Sequence, residues 1–205
     1  MKILYIDCFF GFDASMLLGA LIDAGACPRQ IESRLEQYVQ NPRLEVYDTQ
    51  RMSIECKMAR ALCTDKKGCA PYSITEKYKE TAGTDDIAMQ AVICAIEELE
   101  IEYVMCSDMS LPDNTDGEVI SILQSAGIEL APTTDDIIPP RSADAAFLVS
   151  ISSEHGAKPD MDIISIGYGA GGSDTQKPTL VTATVGSFNP ENLFLMQEES
   201  VAHLL

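Results

Sequence analysis

An acid and a thiol follow the first apolar run of this chain. Ile3-Leu4-Tyr5-Ile6 reads as a buried strand, and Asp7 and Cys8 come directly after it. A turn around Gly11 leads to Asp13, a fair N-cap for an apolar helix. A carboxylate at such a strand end faces free helix N–H groups, where α/β proteins tend to bind ligands. Asp7 could hold a hard cation, or a Lewis-acidic metal with help from Cys8. The plainer reading is that Asp7 caps the turn and Cys8 packs in the core.

Two further groups carry chemistry. Glu80, Asp85 and Asp86 flank Gly83. They either cap a helix start, where acids suit the dipole, or converge on a cation. The glycine stretch Gly167-Tyr168-Gly169-Ala170-Gly171-Gly172-Ser173-Asp174 follows a strand but leads through Gln176-Lys177-Pro178 into another strand. That context excludes a dinucleotide loop, which opens a helix. Its N–H groups are expected either to form an anion nest or simply to make a turn. His155 and His203 stand in no triad order, and no catalytic residue is assigned.

The elements that position these residues come from periodicity. Met16, Leu17, Ala20, Leu21 and Ala24 make one helical stripe, stopped by Gly25. Pro28 opens a second helix with Ile31, Leu35, Tyr38 and Val39, ended by Asn41-Pro42. Residues 44–49 and 53–63 read as strands joined near Gln50-Arg51. Residues 64–73 are a polar loop. A helix starts at Thr84-Asp85-Asp86, with Ala88, Ala91, Val92, Ala95, Ile96 and Leu99 inward. A strand at 102–107 precedes the capping pattern Thr115-Asp116-Gly117-Glu118. Ser142 is expected to cap a helix to about Ser152, and strands follow at 162–167 and 179–185. The expected class is α+β (mixed α/β): a two-layer domain with a mixed, partly antiparallel sheet, over residues 1–186, with 187–205 a peripheral tail.

Composition narrows the function. Apolar residues make up 46% and charged residues 22% of 205, as in a protein with a real core. Fourteen Lys+Arg against 32 Asp+Glu give a net charge of −18, which argues against nucleic-acid and anionic-membrane partners. No apolar run reaches the ~18 residues that span a bilayer, and no signal-peptide pattern is visible. Seven cysteines without C-x-x-C or zinc spacing point to reduced thiols in the cytoplasm.

The residues also resemble a known family, the nickel-pincer cofactor biosynthesis protein LarC, a nickel insertion protein. Its N-terminal pattern D-C-F-S-G-I-S-G-D-M, then G-A-L-x-D-x-G, is matched by Asp7, Cys8, Phe9, Gly11, Met16, Gly19, Ala20, Leu21, Asp23 and Gly25. H-E-V-G-A-V-D-S-I-V-D is matched by Glu80, Asp85 and Ile87. I-G-Y-G-A-G-x-R-D is matched by Ile166, Gly167, Tyr168, Gly169, Ala170, Gly171 and Asp174. The chain departs from the family at Phe10, Phe12, Ser15, Lys79, Met89 and Ser173, and residues 64–79 hold no His.

The resemblance implies nickel-pincer cofactor assembly, or metal or nucleotide binding, and carries the fold further than the insertase activity. It implies nickel as the metal, with Asp7, Cys8, Glu80 and Asp85 as candidate ligands. Gly167, Gly169, Gly171 and Asp174 are implied at an anion or nucleotide. The family's CTP/Mg-dependent C-terminal domain is expected to be absent here, and a separate chain would supply it. A homo-oligomer is expected. The alternative is a non-catalytic interaction or scaffold module that keeps only the fold. A third reading, Mg²⁺-dependent phosphotransfer, would need Asp7, Glu80 and Asp85 within a few Å of one another.

Overall fold

Strand β1 (Lys2–Asp7) lies inside a seven-stranded sheet, between β9 (Leu180–Ser187) and β4 (Tyr103–Cys106). The computed structural model describes residues 1–64, 87–133, 137, 139–171 and 179–188. After β1 come helix α1 (Ala14–Asp23), α2 (Pro28–Leu35), β2 (Arg43–Arg51), β3 (Ile54–Leu62) and α3 (Ile87–Glu98). Beyond β4 run β5 (Met109–Pro112), α4 (Gly117–Ser125), β6 (Leu130–Thr133), α5 (Ser142–Ile151), β7 (Glu154–His155), β8 (Asp162–Ala170) and β9.

The order across the sheet is β2-β3-β8-β9-β1-β4-β7, and β5 and β6 form a separate parallel pair. Pairs β1–β4, β4–β7 and β3–β8 are parallel, while β2–β3, β8–β9 and β1–β9 are antiparallel. The sheet is therefore mixed and the class α+β, as the sequence predicts.

Alternation along the strands makes the two layers. Leu4 and Ile6 of β1 join Val181, Ala183 and Val185 of β9 in the main core, against residues of all five helices. Each large apolar side chain buried there contributes about 2 kcal/mol. Residues of the other parity, Ile3 and Tyr5, meet Met105 and Phe188 in a small cluster on the second face. Ile166 and Tyr47 are exposed on that face.

Several boundaries differ from the sequence reading. The β2–β3 turn is at Met52-Ser53, not Gln50-Arg51; both residues have positive φ, the two-residue hairpin geometry that glycine or asparagine usually announces. Helix α2 stops at Leu35, four residues before Val39, and tight turns carry Val39 into the core. Ser142 is the first residue of α5 and its hydroxyl donates to Glu118 instead of capping. Strands β5 and β7 were not expected; each is too short for alternation to show. His155 lies in β7. The segment 167–170 is strand, not loop.

That last difference explains the packing of α1. A Cβ on Gly167 would overlap the backbone at Ala20 and Ala24, and one on Gly169 would overlap Met16 and Ala20. A Cβ on Gly19 would sit 2.5 Å from the Lys57 carbonyl oxygen. Only glycine lets α1 lie directly on β3 and β8. Asp23 completes the contact by accepting the Tyr168 N–H at 2.9 Å.

Candidate functional site at the start of α1

The first turn of α1 is held by two carboxylates. Asp13 is its N-cap and accepts the Met16 N–H at 2.8 Å. The Ala14 N–H donates to Asp144 at 3.3 Å. Asp144 lies in the first turn of α5 and is fully buried. Arg141 neutralises it with a bidentate pair, Nε at 2.6 Å and Nη2 at 3.0 Å. A buried carboxylate needs such pairing, and the forked geometry is the strong form of it. These bonds occupy the N–H groups with which a bare helix N-terminus would bind an anion.

Beside this turn opens a cleft of about 320 Å³. Asp13 and Ser15 of the α1 start line it, with Met58 and Arg60 of β3, Arg141, and Ala170 at the end of β8. At Gly171, next in the chain, a Cβ would come 3.3 Å from the Met16 sulfur. Arg51 donates to the Gly171 carbonyl at 3.2 Å and ties that strand end to β2.

The electrostatics are mixed. Burial is the first cause that raises the Asp13 carboxyl above its usual range; the Met16 N–H lowers it, and the Asp144 charge raises it again. Arg60 and Arg141 are among the lining residues, and the Arg141 guanidinium is forked on Asp144. The cleft thus combines an arginine of β3 with the paired charges at the α1 start.

The expected site residues fall apart in part. Asp7 and Cys8 point to opposite faces of the sheet. Asp7 is exposed and accepts the Phe9 N–H at 3.2 Å, a turn cap. Cys8 is fully buried, with its N–H on the Ser107 hydroxyl at 3.0 Å. Gly167 and Gly169 lie beneath α1, and the Tyr168 N–H between them is taken by Asp23, so this stretch is not an open anion nest. Gly171 follows Ala170, which lines the cleft. Glu80, Asp85 and Asp174 lie outside the described residues. Phe12 is buried in the core, and Phe10 is exposed. The acid missing at Ser15 has a counterpart two residues earlier, since Asp13 lines the same cleft.

Sequence reasoning missed Arg51, Arg60, Arg141 and Asp144. Only the i, i+3 spacing of Arg141 and Asp144 could have drawn notice, and that spacing is common on helices.

The signature turn and the end of β8 thus wall one opening, and comparison with known proteins bears on what it serves. Residues 4–84 match the Nickel insertion protein family. The resemblance to that family is therefore shown for this part of the chain. A pyridinium-3,5-bisthiocarboxylic acid mononucleotide nickel insertion protein from Geobacillus kaustophilus (strain HTA426) is 51% identical over 37 residues, which is 18% of this chain and 9% of that protein. The matched stretch is thus a small part of the relative's length. No solved structure matches the chain. Among the described residues, no helix is long and apolar enough to cross a membrane.

Proposed function

We propose that the chain holds an anionic pyridinium-type mononucleotide in the α1 cleft, as a component of nickel-pincer cofactor assembly in the cytoplasm. One observation carries this: the signature turn and the end of β8 meet at a single opening walled by Arg60 and Arg141, in a chain of net charge −18. Two arginines lining one cleft of so acidic a protein suit a phosphate or carboxylate ligand. The match over 4–84 to a nickel insertion family supports a role in nickel chemistry. The relative's name pairs nickel with a thiocarboxylate mononucleotide, and a thiocarboxylate sulfur is a soft donor that suits nickel.

Nickel enters this reading as cargo. Among the described residues, no three His, Cys, Asp or Glu side chains are grouped to hold a metal ion. In this reading Arg60 pairs with the ligand's anionic group, while Arg141, forked on Asp144, holds the α1 start beside it. Asp7, Cys8, Glu80 and Asp85 stand as the residues to test for nickel, and Asp174 for the anion. CTP with Mg²⁺, and a separate chain bearing the further domain, belong to the same proposal. Calorimetric titration of the protein with the mononucleotide, with and without Ni²⁺, tests it; absence of saturable binding to the mononucleotide would refute it.

The second face of the sheet favours another reading, an oligomeric interaction module. Ile163, Ile164, Ile166 and Tyr47 are exposed there or at its margin, and such patches mark contact surfaces. Light scattering on the wild type and on Ile164→Glu and Ile166→Glu would separate the two, because this reading needs an oligomer that those variants dissociate.

A further inference from the structure

One row of side chains crosses the whole second face of the sheet. Tyr5 is level with Met105, and Met105 with Glu154. On its other side Tyr5 is level with Thr184, and Thr184 with Ile166. Lys57 is level with Gly169 in the parallel β3–β8 pair. Three residues back on each strand, Ile54 stands beside Ile166, and Ile54 is level with Arg51. From β2 to β7 the row reads Arg51, Ile54, Ile166, Thr184, Tyr5, Met105, Glu154. It is basic at one end and acidic at the other, with β9, the middle strand of the sheet, at its centre.

The two halves of this face differ. Over β1 and β4, Phe188 and Met161 pack on Ile3, Tyr5 and Met105, and the Tyr5 hydroxyl donates to the Gly156 carbonyl at 2.9 Å. The five described helices all join the core on the opposite face. Over β2, β3 and β8 the side chains of Tyr47, Ile54, Ile163 and Ile166 are left exposed. Arg43 and Glu45, 3.9 Å apart, stand beside them on β2. Aliphatic, tyrosine and arginine side chains with few acids are the composition of an interface core, and here they occur in a chain with 32 Asp+Glu.

We propose that two copies of this chain stack second face on second face, about a two-fold axis running along β9. This rests on the second reading above and not on the cleft. A half turn about β9 places β2 of one copy opposite β7 of the other, and β8 opposite β1. The bare half of each copy then receives the covered half of the other. Arg51 of each copy meets Glu154 of the other, the reciprocal pairing that a two-fold contact requires. A half turn about an axis across the strands would instead set like charges together. Opposite charges at both ends also offset the repulsion between two bodies of net charge −18. The area suffices. Strands β2, β3 and β8 have nine residues each and present roughly 400 Å². With the covered half as well, each copy contributes about 800 Å², the size of a standard stable interface.

The test is sedimentation equilibrium of the whole chain, with circular dichroism to show that each variant is folded. The wild type is expected to sediment as a dimer. Ile166→Glu, in the bare half, is expected to weaken that dimer roughly tenfold or more. Arg51→Glu and Glu154→Arg are each expected to weaken self-association. An equal mixture of the two is expected to associate as tightly as the wild type, because every Glu then faces an Arg. If either charge variant fails to fold, Ile166→Glu decides alone. A dimer that Ile166→Glu leaves unchanged, or a mixture of folded variants no tighter than its parents, would overturn the proposal and leave the second reading in place. A monomeric wild type would overturn both. A lower melting temperature of Ile166→Glu in that monomer would assign the face to another part of this chain, and an unchanged one to a different partner. None of these outcomes bears on mononucleotide binding in the cleft.

Discussion

Gly169 of β8 lies directly under the Met16 carbonyl of α1, with no room for a side chain between helix and strand. The third sequence motif thus owes its first two glycines to the first motif's helix. The expected consequence is that Gly169→Ala destabilises the protein by about 3 kcal/mol or more, because backbone, not a flexible side chain, must move. Gly171→Ala meets only the Met16 side chain and should cost far less. Denaturant titration of the two variants checks the contrast.

Asp13 gives a pH dependence of definite sign. Burial first, and the Asp144 charge after it, raise its carboxyl above the usual range. The folded state therefore holds this proton more tightly than the unfolded chain, where aspartate titrates near about 3.9. Stability from this group is full below that unfolded value and is lost as pH rises through the raised folded value. Asp13→Asn keeps a capping oxygen and removes the charge, so its stability relative to wild type should grow as pH rises out of the acid range. Asp13→Ala removes the charge and the cap together, so it should lie about 1 kcal/mol below Asp13→Asn at every pH. Thermal melts across pH on both variants measure this.

Arg141 is exposed, but its partner Asp144 is not. Removing the arginine leaves a buried carboxylate held by the Ala14 N–H. Arg141→Ala should destabilise by about 2 kcal/mol, less than a wholly buried pair because water reaches the vacated side. Asp144→Asn in the same background should recover part of the loss, which a double-mutant cycle would show.

Asp23 ties the last turn of α1 to β8 through the Tyr168 N–H and lies 3.9 Å from Lys57. Asp23→Ala leaves that N–H unpaired at a close helix–sheet contact. The expected loss is about 1–2 kcal/mol, with faster hydrogen exchange at Tyr168 than at its β8 neighbours.

The local rules read well where they were strong. Asp13 as N-cap, Pro28 opening α2 and Asp116 capping α4 follow from side-chain chemistry within four residues. The mixed sheet followed from hairpins interrupting the helix–strand alternation. What escaped reading depends on distant partners. The 167–170 stretch looked like a loop because glycines usually punctuate; here they are a strand's flat face under a helix. Met52-Ser53 carries a turn that no glycine marks. Arg60 and Arg141 are 81 positions apart in sequence and line one cleft because β3 and the start of α5 both reach the α1 N-terminus. No spacing rule could pair them.

The account stands most directly on whether the α1 cleft takes the anionic mononucleotide. Calorimetric titration of pyridinium-3,5-bisthiocarboxylic acid mononucleotide into the wild type and Arg60→Ala measures this, with circular dichroism to show that both are folded. The account predicts saturable binding by the wild type, weakened roughly 10- to 100-fold in Arg60→Ala, the worth of one charge-assisted hydrogen-bonded pair at about 1.5–3 kcal/mol. No saturable binding by the wild type, or an affinity that Arg60→Ala leaves unchanged, would contradict it.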